Sequence, residues 1–227
     1  MFRTLIGVMS LAVLISPASL SPQTDTSKKT TLYHGGISTP IQAILRIGGA
    51  DGIPIGIVLG KRSKLCEGEI EYDFSGLSSA EAMNKVLTPF SVKTSSEDNV
   101  INVVDSDIPS EVNQIMTYKF PRFSAPPTTM RDLGERLTGY ISTTFEGASG
   151  FFLTAPITPD FELLTISEIT GATVPQIANQ IVKLGSRGIW TMYAKPRSID
   201  KSSTVITIFS YHDSGSQLAG FSCPAPA

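Results

Sequence analysis

Charged and apolar residues alternate without exception over Glu69–Phe74, a pattern typical of a half-buried strand. The β-branched apolar run Ile53–Leu59 predicts a buried strand before it. From Ser78 to Leu87 the apolar residues recur every three or four positions, and Ser78 followed by Glu81 forms the signature of a capping box. The pattern therefore predicts two strands followed by an amphipathic helix.

Further elements flank this central pattern in the first half of the chain. Thr39 can cap a helix that has Pro40 in its first turn, and Gly48–Gly49 is expected to end it. The apolar segments Phe90–Thr94 and Val100–Val104 flank a polar turn, which indicates a hairpin.

The second half of the chain repeats this plan. Its predicted elements are a strand around Tyr118 and Phe120, a helix capped by Thr128 or Thr129, strands at Phe151–Leu153 and Phe161–Ile166, a helix that begins with the capping box Thr173 and Gln176, and a hairpin of Ile189–Tyr193 and Val205–Tyr211 around the polar turn Lys195–Ser203. In both halves a strand, a capping-box helix and a hairpin follow one another, which predicts an internal duplication.

The N-terminal segment has the order of a secretory signal peptide. Arg3 is its only charge, and an apolar run from Leu5 to Ile15 leads into small residues. This run is well short of the ~20 residues that span a bilayer, so cleavage after Ala18 is predicted over an uncleaved anchor. We expect a periplasmic or secreted protein without a stable membrane span after cleavage.

The remaining chain is predicted to be α+β, built of two small αβ sandwich domains with two helices each on short mixed sheets. The expected boundaries are a signal peptide (residues 1–18), a flexible linker (19–32), a first domain (33–105), a second linker (106–116), a second domain (117–213) and a C-terminal tail (214–227). The formal net charge of −2 and the lack of a strong basic cluster disfavour nucleic-acid binding.

Cys66 and Cys223 are the only two cysteines. An even pair in an oxidising compartment predicts a disulfide between a loop of the first half and the C-terminal region, with two unpaired thiols as the alternative. Their wide separation in the sequence is not that of a zinc site or a CxxC redox motif.

The first half of the chain resembles a known module. Its helix, apolar strand, alternating strand, second helix at Leu77–Met83 and closing hairpin at Phe90–Val104 look like the short N-terminal (STN) domain of secretins and TonB-dependent transporters. The resemblance covers Tyr33–Val104, and a weaker copy covers Tyr118–Tyr211.

This resemblance implies a small αβ sandwich in the bacterial periplasm that contacts other proteins. It implies no catalytic residues and no cofactor. Neither of the larger channel-forming parts of those proteins is predicted after the resembling segments, so the implied role is that of the interaction module alone.

Few residues offer enzyme chemistry. His34 and His212 are the only histidines, and no GxSxG motif supplies a nucleophile for a Ser-His-Asp site. Glu69, Glu71 and Asp73 could serve as paired carboxylates, but the alternating pattern places them on the solvent face of one strand. We expect no enzyme activity, no metal site and no bound cofactor.

The expected function is an exported envelope protein that acts as a protein-interaction or assembly module, with an envelope protein as partner. Two alternatives stay open: a secreted hydrolase with an unrecognised site, and a small-ligand or glycan-binding protein. Phe145, Phe151 and Phe152 are the candidate residues for a binding surface built on loop aromatics.

Overall fold

The computed structural model describes residues 30–145, 149–150, 163–185, 188–198 and 201–210. These residues form an α+β fold, which confirms the predicted fold class. The helices, in chain order, are α1 (Pro40–Asp51), α2 (Ser79–Leu87), α3 (Ser110–Thr117), α4 (Met130–Thr144) and α5 (Val174–Leu184). The strands are β1 (Gly35–Ser38), β2 (Ile55–Leu59), β3 (Ile70–Asp73), β4 (Val92–Glu97), β5 (Val100–Asp105), β6 (Lys119–Phe120), β7 (Phe123–Thr128), β8 (Ser149–Gly150), β9 (Leu164–Ile169), β10 (Ala172–Thr173), β11 (Gly188–Ser198) and β12 (Lys201–Ser210).

A six-stranded mixed sheet runs through both halves of the chain, in the order β4-β5-β2-β11-β12-β8. The first half supplies β4, β5 and β2, and the second half supplies β11, β12 and β8. Three two-stranded sheets accompany it, β1-β3, β7-β9 and β10-β6. The halves are therefore joined edge to edge where β2 pairs in parallel with β11.

Strand pairing repeats between the halves. β2 pairs in parallel with β5 as β8 does with β12, and the hairpin β4–β5 corresponds to the hairpin β11–β12. The antiparallel pairs β1–β3 and β7–β9 also correspond. The repeated order of elements predicted from the sequence is thus present in the structure, whereas the likeness of each half to an STN domain stays a prediction.

Corresponding strands lie in the same order across the sheet but run in opposite directions. Because β11 is parallel to β2 while β4 is antiparallel to it, the two halves are related by a half-turn about an axis that crosses the strands within the sheet, together with a shift of three strands along that axis. Such a half-turn exchanges the two faces of the sheet. The helices of the two halves must therefore cover opposite faces.

Two hydrophobic cores confirm this arrangement. The first-half core contains apolar residues of α1 and α2 with Ile55, Ile57 and Leu59 of β2. The second-half core contains apolar residues of α3, α4 and α5 with Trp190 and Met192 of β11. Because successive side chains of a strand point to opposite faces, one sheet serves both cores.

Gly56 lies at the junction of the halves, paired with Asn102 on one side and Trp190 on the other. A Cβ at Gly56 would meet Asn102 Oδ1 and the Trp190 ring well inside van der Waals contact. The Trp190 indole is fully buried and donates through Nε1 to Asn179 Oδ1 of α5 at 2.6 Å. The missing side chain of Gly56 therefore leaves the space that the tryptophan ring uses.

Capping boxes begin three of the helices, as the sequence predicts for two of them. Thr39 and Ser78 each accept a hydrogen bond from the backbone N–H three residues on, and in all three boxes the side chain at that third position accepts one from the N-cap backbone N–H. That third residue is Gln42 in α1 and Glu81 in α2. These local bonds satisfy backbone donors that the helices cannot satisfy internally.

α1 continues past the glycines that were expected to end it. Gly48–Gly49 lies inside the helix, which ends at Asp51 because Gly52 adopts a left-handed φ of 67°. Asp51 accepts hydrogen bonds from Leu32 N at 2.9 Å and from Ser79 Oγ at 2.7 Å. The carboxylate thereby ties the chain before β1 to the start of α2.

Two other segments differ from the sequence expectation. The linker expected at residues 106–116 includes most of α3, which buries Val112 and Ile115 in the second-half core. The polar turn expected at Lys195–Ser203 is mostly strand, because β11 and β12 stay paired as far as Ser198 and Lys201. Polar side chains do not prevent strand pairing, since the ladder is made by the backbone.

None of the helices in the described part of the chain is both long and apolar enough to span a bilayer.

Replacing Gly56 with alanine is expected to destabilise the protein by about 1–3 kcal/mol, since the added methyl group overpacks the junction against Asn102 and Trp190. Urea unfolding followed by Trp190 fluorescence measures the loss. Gly139→Ala is the matched control: a Cβ there meets nothing within 4 Å on α4, so the helix should gain about 0.5–1 kcal/mol. Equal stability of the two variants would contradict this account of the junction.

Hydrogen bonds from Ser78 N (2.8 Å) and Ser78 Oγ (2.7 Å) hold the pKa of Glu81 below its ordinary value. A lowered folded-state pKa adds stability above the unfolded pKa, and this stability is lost as the pH falls through the folded pKa. Glu81→Gln keeps an acceptor oxygen but cannot titrate. We expect it to lower stability at pH 7, where the charged form of Glu81 supplies this contribution, and to reduce the loss of stability below about pH 4.5. An identical acid limb in urea titrations would contradict the role of Glu81.

Candidate interaction surface

The candidate catalytic residues from the sequence do not form a cluster in the described part of the chain. His34 is exposed just before β1, and its backbone carbonyl accepts a hydrogen bond from Phe74 N at 2.9 Å. Glu69, Glu71 and Asp73 are exposed, as predicted. Hydrogen bonds from Ser75 lower the pKa of Asp73, which favours its charged form. His212 lies outside the described residues.

No group of three or more His, Cys, Asp or Glu residues within the described ranges could hold a metal ion.

Of the three candidate aromatic residues, the structure describes only Phe145. Phe145 is half-buried at the end of α4, and its ring packs edge-on against Tyr118 with a centroid separation of 5.2 Å. Phe151 and Phe152 lie outside the described residues. Phe145 thus belongs to the margin of the second-half core.

The candidate disulfide stays a prediction. Cys66 is half-buried at the end of a 3-10 turn, Lys64–Cys66, and packs against the first-half core. Cys223 lies outside the described residues.

A groove of about 590 Å³ opens between β9, α5 and the tip of the hairpin β4–β5. The two halves meet there, since β9 and α5 belong to the second half and the hairpin belongs to the first. We call this the seam groove, and its lining residues are Glu97, Asp98, Thr165–Ala172, Gln176, Gln180 and Leu184.

One wall of the seam groove is a strand edge. All eight consecutive residues from Thr165 to Ala172 line it. Successive side chains of a strand point to opposite faces, so a run without gaps places the backbone itself along the groove. β9 pairs with β7 on one edge, and no other described strand pairs with β9. The backbone hydrogen-bonding groups on the second edge of β9 therefore face the groove.

An irregularity in strand pairing lies in this wall. The register between β7 and β9 shifts between the pairs Phe123↔Ile169 and Ala125↔Ile166. Two residues, Ser167 and Glu168, consequently lie opposite Ser124 alone. Such β-bulges turn side chains in new directions and are common at sheet edges next to functional sites. Ser167 and Glu168 are both exposed.

Helix α5 forms the floor of the seam groove. Gln176, Gln180 and Leu184 are spaced four residues apart, so they form one stripe along the helix. Gln176 Nε2 donates to Glu97 Oε1 at 3.2 Å, and Gln180 Nε2 donates to Asp98 Oδ2 at 3.3 Å. These bonds fix the hairpin tip of the first half against the helix of the second.

The tip of the hairpin is a tight two-residue turn. Asp98 and Asn99 both have positive φ values, 54° and 66°, as a turn of type I′ requires. Aspartate and asparagine tolerate this conformation better than other residues that carry a Cβ. The turn directs the Asp98 carboxylate toward α5, where Lys183 Nζ lies 3.7 Å from its Oδ1.

Apolar surface is exposed beside the polar lining. Leu184, at the end of the floor, is 37% exposed, and Leu163, directly before β9, is 63% exposed. Ile166 is buried under the wall. The groove therefore has a strand edge, polar side chains and accessible apolar area close together.

Comparison with protein-family models, with curated proteins and with solved structures finds no match for this chain.

Sequence reasoning did not find the seam groove. It predicted a strand only as far as Ile166 and left Glu168 unassigned. One signal was available: Ile166 and Ile169 are three residues apart, a spacing that breaks strand alternation and indicates a bulge. The approach of Glu97 and Asp98 to α5 depends on the joining of the halves, and no local pattern contains that information.

Proposed function

We propose that this chain is an exported envelope protein that acts as a protein-interaction or assembly module, with two tandem STN-like halves fused through one sheet. The observation that carries the proposal is the edge of β9 along the seam groove, which pairs with no other strand in the described part of the chain. An exposed strand edge can accept an added strand from a partner, whose backbone completes the ladder of hydrogen bonds.

The elements around the groove support a binding site for a particular partner, and not merely an exposed strand edge. Unprotected strand edges invite unspecific pairing, and proteins commonly shield them with charges, bulges or neighbouring elements. Here α5 and the hairpin tip flank the edge, and the bulge at Ser167–Glu168 interrupts it. The flanking elements restrict which strand can enter, which supports recognition of a particular partner.

The N-terminal segment and the cysteine pair support export. A short apolar run after Arg3, followed by small residues, is typical of a cleaved secretory signal. An oxidising compartment would also allow the predicted bond between Cys66 and Cys223, which joins the first half to the C-terminal region.

A photo-reactive amino acid that replaces Ser167 should cross-link the partner in intact cells, because Ser167 lies on the β9 wall of the seam groove. The matched control is the same amino acid at Ser75, in the exposed turn after β3 of the first half. We expect one discrete cross-linked product from position 167 and none of that mass from position 75. The same product from both positions, or none from position 167, would contradict the proposal.

The floor of the groove should contribute to the same interaction. Leu184→Gln removes exposed apolar surface and is expected to reduce the yield of the cross-link from position 167 by about five- to tenfold, as for a contributing interface residue. Leu32→Gln is the control, since Leu32 is 61% exposed and lies outside the groove. Thermal unfolding checks that both variants remain folded, and equal cross-link yields from both would exclude the floor from the interface.

A further inference from the structure

We infer that the occupant of the seam groove is an extended segment of a partner protein that carries basic side chains on alternate positions. This inference rests on the proposed function and adds the chemistry of the partner. It follows from the strand edge that forms the wall, the charges that surround it and the apolar surface at its end.

The strand edge sets the conformation of the occupant. A segment that pairs with β9 must itself be extended, since only an extended strand presents the N–H and C=O groups of alternate residues along one edge. Five residues of β9, Thr165–Ile169, and the turn that follows line the groove, so the wall accommodates a short strand. A helix would leave the backbone groups of this edge without partners.

The charges of the residues that line the groove determine which sign of charge the side chains of the occupant should carry. Glu97, Asp98 and Glu168 all line the groove, and none of the described residues that line it is a lysine, arginine or histidine. Glu97 and Asp98 lie at the hairpin tip, and Glu168 lies on the β9 wall. Carboxylates on both sides favour cations between them and disfavour an acidic segment by like-charge repulsion.

Two cations lie just outside the groove and leave the carboxylates accessible. Lys183 Nζ lies 3.7 Å from Asp98 Oδ1, and Arg122 Nη1 lies 3.5 Å from Glu168 Oε2. The side chains of both pairs are 42–70% exposed. Ion pairs of this length and exposure contribute little, so a partner cation can share or replace them at small cost. Among the described residues, the Glu97 carboxylate is hydrogen-bonded to the neutral amide of Gln176.

Alternation between basic and apolar side chains follows from the two faces of an added strand. One face of such a strand would meet the floor, where Leu184 is accessible, and the other would meet the carboxylates of the rim. A second copy of this chain fits less well. Its exposed edge strand β4 carries both Lys93 and Glu97, so it presents no excess of basic charge.

Three seven-residue peptides test the inference, in which valine alternates with lysine, glutamine or glutamate. Each is titrated into the isotopically labelled protein, and backbone amide shifts of Thr165–Gly171 report the site. We expect the lysine peptide to bind about tenfold more tightly than the glutamate peptide, with the glutamine peptide between them. This difference should shrink between about 50 mM and about 500 mM salt, because the charges lie at a solvated rim.

A double variant tests the source of the preference. Glu97→Gln with Glu168→Gln removes two lining carboxylates and should reduce the advantage of the lysine peptide to less than about threefold. Glu69→Gln with Glu71→Gln is the control, since it changes the net charge equally on exposed residues away from the groove. The control should retain the full advantage.

The outcomes separate this inference from the proposed function. Equal binding of all three peptides at Thr165–Gly171 would overturn the basic partner and leave strand addition standing. Shifts confined to Val92–Glu97, or no binding at all, would overturn the groove as the docking place of a basic strand. In either case the cross-link from position 167 decides by itself whether the chain contacts a partner through this wall.

Discussion

The parallel pairing of β2 with β11 is the contact on which the rest of the structure depends. It joins two three-stranded sheets into one, and it is possible in this form because Gly56 carries no side chain beside Trp190. The buried indole reaches across to Asn179 and so fixes α5 over the junction. The position of α5 in turn decides where its glutamines meet the hairpin of the first half.

The half-turn between the halves makes each half complete the core of the other. Val58 and Val100 belong to first-half strands but lie in the second-half core, whereas Ile189 of β11 lies in the first-half core. Every central strand therefore buries both of its faces. This arrangement explains why β2 is buried at all five positions, although its own helices cover only one side.

Features that depend on neighbouring residues were predictable, and features that depend on distant ones were not. The N-caps Thr39, Ser78 and Thr173 were predicted because their signals lie within four residues, a following proline for Thr39 and a capping box for the other two. The turn at Asp98 and Asn99 was predicted for the same reason. The extension of the last hairpin through its polar residues was missed, because backbone pairing leaves no hydrophobic signal.

The seam groove shows even more clearly that contacts between distant residues cannot be predicted from local sequence. Its wall and floor come from consecutive segments, Thr165–Ala172 and α5, whereas its rim comes from the much earlier hairpin tip, and each has an ordinary local explanation. The sequence predicts Gln176 as a capping residue, which is correct, and Glu97 as part of a polar turn, whereas the structure has Glu97 as the last residue of β4. Only the joining of the halves brings them within 3.2 Å of each other.

The junction also has a consequence for the order of folding. β2 pairs with β5 from its own half, but its other edge is completed by β11, which follows much later in the chain. Contacts between such distant segments close large loops and form slowly. A chain that emerges with its N-terminus first and folds as it emerges therefore exposes the apolar edge of β2 until the last hairpin, β11–β12, has formed. In that interval a chaperone, or a hairpin from a neighbouring chain, competes for the place of β11.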